Sequence, residues 1–375
     1  MFETLPLTGI KVVELGSSIS GPSCTEALAF MGADVIKVEG PEGDATRAWG
    51  TKLDWNSAVG YECVNREKRS VTVDFGNAEQ LEMLMHLIVS ADVVLQNFRA
   101  GVVKKFGIDA ETVLKKNPQL IYCNVNAYGD GPMSSRPGYD PLMQAFSGIM
   151  SITGEAERSP SRVGVSLIDI GTGMWSTIGI IAALYRRHTT GKGGVVDTAL
   201  LDTALNWMKL PITEYLASGY MPQRMGNRGP ALVPNQGFET ADGVLMVTAG
   251  TDGQFKNFCK ALDRNEWSED ERFEKAQARN ANADLLIVEI AEVMKTQPRA
   301  YWIEKFDALN IPNSPVQTID EVVVHPQVVA SQMIQSNESS PLKLVGLPIK
   351  FDGQRPGFMR RPPHLGEHND EVFGQ

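Results

Sequence analysis

Ile10-Lys11-Val12-Val13-Glu14-Leu15 is followed by Gly16-Ser17-Ser18-Ile19-Ser20-Gly21-Pro22, then by residues 24–31, Gly32 and Asp34-Val35-Ile36-Lys37-Val38, and this opening stretch decides the fold. The first block is β-branched and apolar, as a buried strand is. The second has turn and N-cap chemistry. Residues 24–31 then read as a helix stopped by Gly32, and residues 34–38 as a second strand. Working outward, further strands are expected at 70–75, 93–96 and 120–125, with a helix at 78–90. Strands alternating with helices indicate a parallel, doubly wound α/β sheet.

Downstream, a helix is expected over 173–188, stopped by Thr190-Gly191-Lys192-Gly193-Gly194, and another over 201–218. The pattern then changes. Residues 226–235 read as loop, 244–248 as a strand and 252–309 as a charged helical region, which together suggest a second, smaller domain. From Leu347 onward, proline and glycine suggest an arm laid over another surface. The expected division is a large domain at 1–220, completed by 326–375, and a small domain at 221–325.

The 375-residue chain carries 42% hydrophobic and 21% charged residues, an ordinary globular balance. Its net charge of −10 disfavours nonspecific binding to nucleic acid or to an anionic membrane surface. The best membrane candidate, residues 174–185, is far shorter than the roughly 20 residues of a span and reads as a buried core helix. The N-terminus shows neither a basic nor an apolar signal segment, so a cytoplasmic protein is expected. Cys24, Cys63, Cys123 and Cys259 are widely spaced and fit no metal pattern, as expected of free thiols in a reducing compartment.

The turn after the first strand runs Gly16-x-x-x-x-Gly21 and lacks the G-x-G-x-x-G spacing of a dinucleotide site, which removes the support for an NAD-dependent oxidoreductase. Its backbone N–H groups can still meet an anion at a helix N-terminus. Two basic clusters, Arg66, Lys68, Arg69 and Arg99, Lys104, Lys105, lie near strand ends and read either as a phosphate site or as solvated surface. None of the five histidines forms a metal pair or a nucleophile–base dyad, and no G-x-S-x-G elbow is present.

Asp169 stands between an apolar stretch and Ile170-Gly171-Thr172-Gly173, at the start of an apolar helix. It reads either as an N-cap, held ionised by the helix dipole, or as a nucleophile toward a thioester. Local reading leaves the two open.

Several blocks together resemble the class III CoA-transferase and acyl-CoA racemase superfamily. They are Leu7-Thr8-Gly9-Ile10-Lys11-Val12-Val13-Glu14-Leu15 with Ser20-Gly21-Pro22, Met31-Gly32-Ala33-Asp34-Val35-Ile36-Lys37-Val38-Glu39, and Gly43-Asp44-Ala45-Thr46-Arg47. Asn65-Arg66-Glu67-Lys68-Arg69-Ser70, Gln96-Asn97-Phe98-Arg99, Arg136-Pro137-Gly138-Tyr139-Asp140 and Asp169-Ile170-Gly171-Thr172-Gly173 continue the likeness. It ends with Thr190-Gly191-Lys192-Gly193 and the tail Pro362-Pro363-His364-Leu365-Gly366-Glu367-His368, so it spans almost the whole chain.

The resemblance implies a Rossmann-like large domain, a smaller α+β domain and two chains interlocked as a homodimer. It implies that Asp169 attacks an acyl-CoA, gives a mixed anhydride and then an aspartyl-CoA thioester, and passes CoA to an acceptor acid. CoA is then a substrate, with no permanently bound cofactor and no metal. By position, Ser17, Ser18, Ile19, Asn97, Phe98, Arg99 and Lys105 should line the CoA site, and Tyr139 and Asp140 the acyl end. Ile19 stands where formyl-CoA transferases have a glutamine, and Gly40 where they have an arginine. Their glycine-rich loop is shortened here to Arg228-Gly229-Pro230. These departures argue against formyl and oxalate substrates and point to a different acyl group, with a succinyl-type donor one candidate. Arg136, Arg162 and Arg228 are the arginines offered for its distal carboxylate.

Two alternatives accompany the transferase reading. An α-methylacyl-CoA racemase would have a histidine where this chain has Tyr139, and a phenol is a poor base near neutral pH. A noncatalytic CoA-binding homologue would have less reason to keep Asp169 in its Gly-Thr-Gly setting.

Overall fold

A computed structural model describes residues 4–374, which divide into two compact units: 4–150, Arg162–Met221 and 326–374 in one, Ser151–Ser161 and Pro222–His325 in the other. The first unit is built on six strands: β1 (Lys11–Leu15), β2 (Asp34–Glu39), β3 (Arg69–Thr72), β4 (Val93–Gln96), β5 (Ile121–Asn126) and β6 (Gly194–Ala199). They lie in the order β3-β2-β1-β4-β5-β6 and every pairing is parallel. This is the order of a dinucleotide-binding doubly wound sheet, whose direction of winding switches between β1 and β4.

The strands form where the apolar runs are longest. Val12, Val13, Val35, Val93, Val94, Leu95 and Ile121 are all fully buried, as a sheet covered on both faces requires. Six helices of this unit matter below: α1 (Ser20–Phe30), α2 (Ala78–Val89), α3 (Asp140–Phe146), α4 (Leu167–Thr190), α5 (Leu200–Trp207) and α6 (Lys209–Ser218). On one face, Leu84, Leu87 and Ile88 of α2 pack with Val13, Val94 and Tyr122. Side chains alternate along a strand, so Glu14 points to the other face, where its carboxylate accepts the Thr25 hydroxyl of α1 at 2.6 Å.

Glu14 is a fully buried charge in the middle of this sheet. It accepts from Lys37 Nζ at 2.8 Å and Lys68 Nζ at 2.9 Å, and all three side chains are shut off from solvent. Burial alone would raise the Glu14 pKa, but the two ammonium groups hold it below the usual carboxylate value. Lys37 also donates to the carbonyl of Gly16 and pairs with Asp44 at 2.9 Å. One carboxylate therefore ties β1 to β2, to the turn after β1 and to the segment before β3.

That network corrects the reading of Arg66, Lys68 and Arg69 as a phosphate cluster. Arg66 is buried between the rings of Phe30 and Phe358 and bonds Gln335, Lys68 belongs to Glu14, and Arg69 pairs with Asp34 and Glu371. The tail also lies on its own unit. His368 donates to the carbonyl of Ser70 and Asn369 bonds Thr72, so the exposed edge of β3 is covered.

Three further local expectations change. Strand β6 had no sequence assignment. The 201–218 helix is broken at Met208, because Pro211 cannot donate within a continuous helix but fits the first turn of α6. Helix α4 is longer than expected, 24 residues, and by length and composition could cross a membrane. Here one face packs on α1, while the opposite face leaves Met174, Ile178 and Tyr185 at least half exposed, so it is not the fully buried helix expected.

The second unit has a three-stranded antiparallel sheet, β7 (Asn235–Glu239), β8 (Val244–Thr248) and β9 (Asn313–Pro315), in the order β9-β8-β7. Its separate core is built on Phe255, Phe258, Phe273, Ile290, Trp302 and Phe306. Ser151–Ser161 belongs to this unit, although no composition change marks its boundaries.

Glu14→Gln should lower the unfolding free energy by about 3–5 kcal/mol in urea titration, because it leaves the buried Lys68 ammonium without its counter-charge and Lys37 with Asp44 alone. Glu111→Gln, which breaks the exposed pair with Lys115, should leave the urea midpoint nearly unchanged. Equal small losses would contradict this account of the network.

Candidate functional site

The carboxyl ends of β1, β4 and β5 open onto a cavity of about 260 Å³ at the point where the winding of the sheet reverses. Crevices at that point are where doubly wound sheets take their ligands. Its wall comprises the turn after β1, the turn after β4, the segment from Ser134 to Tyr139, and Asp169.

The turn after β1 is held open from two sides. Ser18 has a left-handed backbone, φ +68°, uncommon for a residue with a side chain. Its N–H donates to Asp44, the partner of the buried Lys37. The Asn97 carboxamide accepts the Ser17 N–H at 2.9 Å and donates to the Ser17 carbonyl at 2.8 Å. Asn97 thus clamps β1's turn to β4's turn at the cavity floor, a role its expected place in a CoA site did not include. Phe98 is fixed by the Gln96 side chain and by an edge-on contact with Phe75. Arg99 is exposed at the rim, and no carboxylate pairs with it among the described residues.

Of the nine positions expected to line a CoA and acyl site, Ser17, Ser18, Asn97, Phe98, Arg99 and Tyr139 do line this cavity. Ile19, Lys105 and Asp140 do not. Lys105 is an exposed residue whose ammonium stands 5.6 Å from the Phe106 ring. Asp140 lies behind the wall, and its position explains the state of Asp169.

Asp140 opens α3 and is buried, yet it caps a different helix. Its Oδ2 accepts the backbone N–H groups of Ile168, at 2.6 Å, and Asp169, at 3.1 Å. Its Oδ1 accepts from the Gln144 side chain. Two first-turn donors of α4 are thus committed to Asp140, and the third, the Leu167 N–H, bonds the Val165 carbonyl. Asp169 is the third residue of α4, not its N-cap, and it does not collect the helix-terminus stabilisation expected for it. Only 8% of it is exposed. Burial, with the Asp140 charge beside it, pushes its carboxyl up to about 7. The expectation that the helix dipole holds Asp169 ionised is therefore corrected: near neutral pH the carboxyl is readily protonated.

The two glycines after Asp169 allow this placement. A Cβ on Gly173 would come within 2.9 Å of the Ser20 carbonyl on α1, and one on Gly171 within 2.9 Å of the Trp207 ring on α5. Between them, Thr172 donates to the Ile168 carbonyl and bonds Thr203. Close approach on both sides brings the start of α4 against the turn after β1.

Among the described residues no thiol or imidazole lines the cavity; its other nucleophilic atoms are hydroxyls with no histidine beside them. Burial pushes Cys24 up to about 12, no histidine lines the wall, and no cluster of metal-ligating side chains occurs among the described residues. The arrangement offers one buried, readily protonated carboxylate opening beside a turn rich in hydroxyls and backbone N–H groups.

The wider comparison is consistent along the chain. Residues 7–369 match the model of a family described as CoA-transferase family III. The chain is 37% identical to a succinate–glutarate CoA-transferase from Agrobacterium fabrum, covering 99% of this chain and 95% of that protein. It is 34% identical to a succinyl-CoA:mesaconate CoA-transferase from Haloarcula hispanica, over 98% and 96% of the two chains. A crystal structure of a CaiB/BaiF family protein from Brucella suis superposes with a TM-score of 0.90 at 38% identity, covering 99% of each chain.

Proposed function

This chain belongs to CoA-transferase family III, and from that premise we propose that it moves CoA from a dicarboxylic acyl-CoA to an acceptor acid through covalent adducts of Asp169. The observation that carries this reading is the state of Asp169, a buried carboxyl at about 7 facing the cavity. A carboxylate of that basicity is more nucleophilic than an ordinary one and is still substantially ionised near neutral pH.

The steps follow from a carboxylate meeting a thioester. An Asp169 oxygen attacks the thioester carbonyl, the C–S bond breaks, and CoA leaves as the thiolate, giving a mixed anhydride. The thiolate attacks the Asp169 acyl carbon and expels the donor acid as its carboxylate, leaving an aspartyl-CoA thioester. The acceptor carboxylate attacks that thioester and releases the thiolate. The thiolate then takes the acceptor acyl group and restores Asp169. Each adduct can be lost to water, so a shielded carboxyl is an advantage.

Within this reading, CoA follows Ser17, Ser18, Asn97, Phe98 and Arg99, and Tyr139 borders the acyl group. Lys105 is left to whatever part of CoA extends beyond the cavity. Asp140 acts through Asp169 and the helix it caps. The named relatives are transferases of succinate, glutarate and mesaconate, all dicarboxylates, which supports a donor of that class. Free thiols such as the exposed Cys63 suit a cytoplasmic setting.

An interlocked homodimer belongs to the same proposal. Met174, Ile178 and Tyr185 on α4 and Leu210 and Leu216 on α6 expose a large apolar surface for a single chain. Sedimentation should give twice the 41.0 kDa chain mass, and a monomer at micromolar concentration would contradict the pairing.

The covalent route is tested by incubating the protein with a panel of acyl-CoAs, quenching with hydroxylamine or borohydride, and locating adducts by peptide mass spectrometry. Modification at Asp169, absent in Asp169→Ala, is expected. No adduct with any donor, alongside tight CoA binding, would overturn the route. Only ionised Asp169 attacks, so the donor-side rate should fall about tenfold per pH unit below about 7 and level off above it.

A further inference from the structure

We propose that Arg136 is the residue that selects a dicarboxylic acyl group, by pairing with the carboxylate that takes no part in the reaction; this rests on the transferase reading above. In a dicarboxylic acid bound for transfer, one carboxyl reacts and the other stays ionised. Inside a cavity that already holds Asp169 with Asp140 behind it, a further negative charge is unfavourable unless a cation meets it.

The cavity wall contains two cations, Arg99 and Arg136. Neither is paired with a carboxylate among the described residues. In the same unit Arg47, Arg69, Arg187 and Arg361 are held by acidic partners, whereas Arg186 and Arg355 bond backbone carbonyls, so what sets Arg99 and Arg136 apart is their place on the cavity wall. Two unpaired guanidiniums in one cavity suit a ligand with anionic groups at two places.

Their positions divide the work. Arg99 follows β4 at the reversal of the sheet, beside the Asn97 clamp, where a nucleotide lies in folds of this kind. Arg136 stands three residues before Tyr139 and four before Asp140, on the segment that leads into the cap of α4. Successive turns, Ser134 N–H to Gly131 and Arg136 N–H to Met133, set Ser134, Ser135 and Arg136 together on the wall. Two hydroxyls and a guanidinium form a donor set for a carboxylate.

The other two arginines suggested by the sequence are not so placed. Arg162 does not line the cavity, and Arg228 belongs to the second unit, where it pairs with Asp284 at 2.8 Å.

The test compares succinyl-CoA with butyryl-CoA, four-carbon donors that differ by the distal carboxylate. The donor kcat/KM is measured for both thioesters at one fixed acceptor concentration, so that the acceptor side cancels in the ratio. Arg136→Gln should lower the succinyl-to-butyryl ratio of kcat/KM about 30-fold, with Arg136→Lys restoring part of it. Dissociation constants of both thioesters, measured on the same proteins, should show the same preference falling. An unchanged ratio, or an equal fall for both donors as expected of a contact to CoA phosphate or of a structural role, would overturn the proposal. Failure of the transferase reading appears separately, as a wild-type protein that transfers CoA to no acid. The binding ratio would then still decide whether Arg136 meets the distal carboxylate.

Discussion

The capping of helix α4 by Asp140 is the interaction on which the site depends. A helix N-terminus is a natural place to stabilise a carboxylate, and Asp169 sits within its first turn. The donors that would do so are bonded to Asp140, from a helix that begins 29 residues earlier. Stabilisation that could have kept Asp169 ionised and inert is thereby given to its neighbour. Asp169 is left with burial and a like charge, and both make it more basic. One acidic side chain at a helix start thus both secures the helix and primes the carboxylate that faces the cavity.

That geometry needs a rigid surround, because the position of a buried carboxyl is only as good as the elements that hold it. Gly171 and Gly173 let α4 approach α5 and α1 until a methyl group would collide with a ring or a backbone. On the opposite wall, the Ser17–Ser18 turn has an uncommon backbone conformation that Asn97 and Asp44 both brace. Asp44 is in turn held by Lys37, which shares Glu14 with Lys68. A chain of buried charges therefore runs from the middle of the sheet to the cavity floor. Such ion pairs add little net stability over apolar packing, but breaking one partner is costly, so they specify a single arrangement of the turn.

Much of the fold was legible because parallel strands buried on both faces leave continuous β-branched runs, as at Val12-Val13, Val35-Ile36 and Val93-Val94-Leu95. β6 was missed because Gly194 opens it and Val195 is exposed, so it lacks the fully buried pattern of its neighbours. The site was legible in part. Asp169 and the turns after β1 and β4 could be located, since strand ends and glycine-rich turns are local features. The partner of Asp169 was not recognised. Asp140-Pro141 announces a helix start, but nothing local tells that its carboxylate caps another helix. In the same way Arg66 and Lys68 look like surface charge until β1 and α1 supply their buried partners. Long-range pairing of polar groups, unlike hydrophobic periodicity, has no short-range signature.

The central claim concerns the carboxyl of Asp169 itself, and its titration is the most direct measurement. With ¹³C-labelled aspartate, the resonance absent in Asp169→Ala should titrate near 7 in the wild-type protein and move toward the ordinary carboxylate range in Asp140→Asn, where the side-chain amide can still accept a backbone N–H but carries no charge. An Asp169 resonance that already titrates in the ordinary range in the wild-type protein, or that does not respond to Asp140→Asn, would contradict the account.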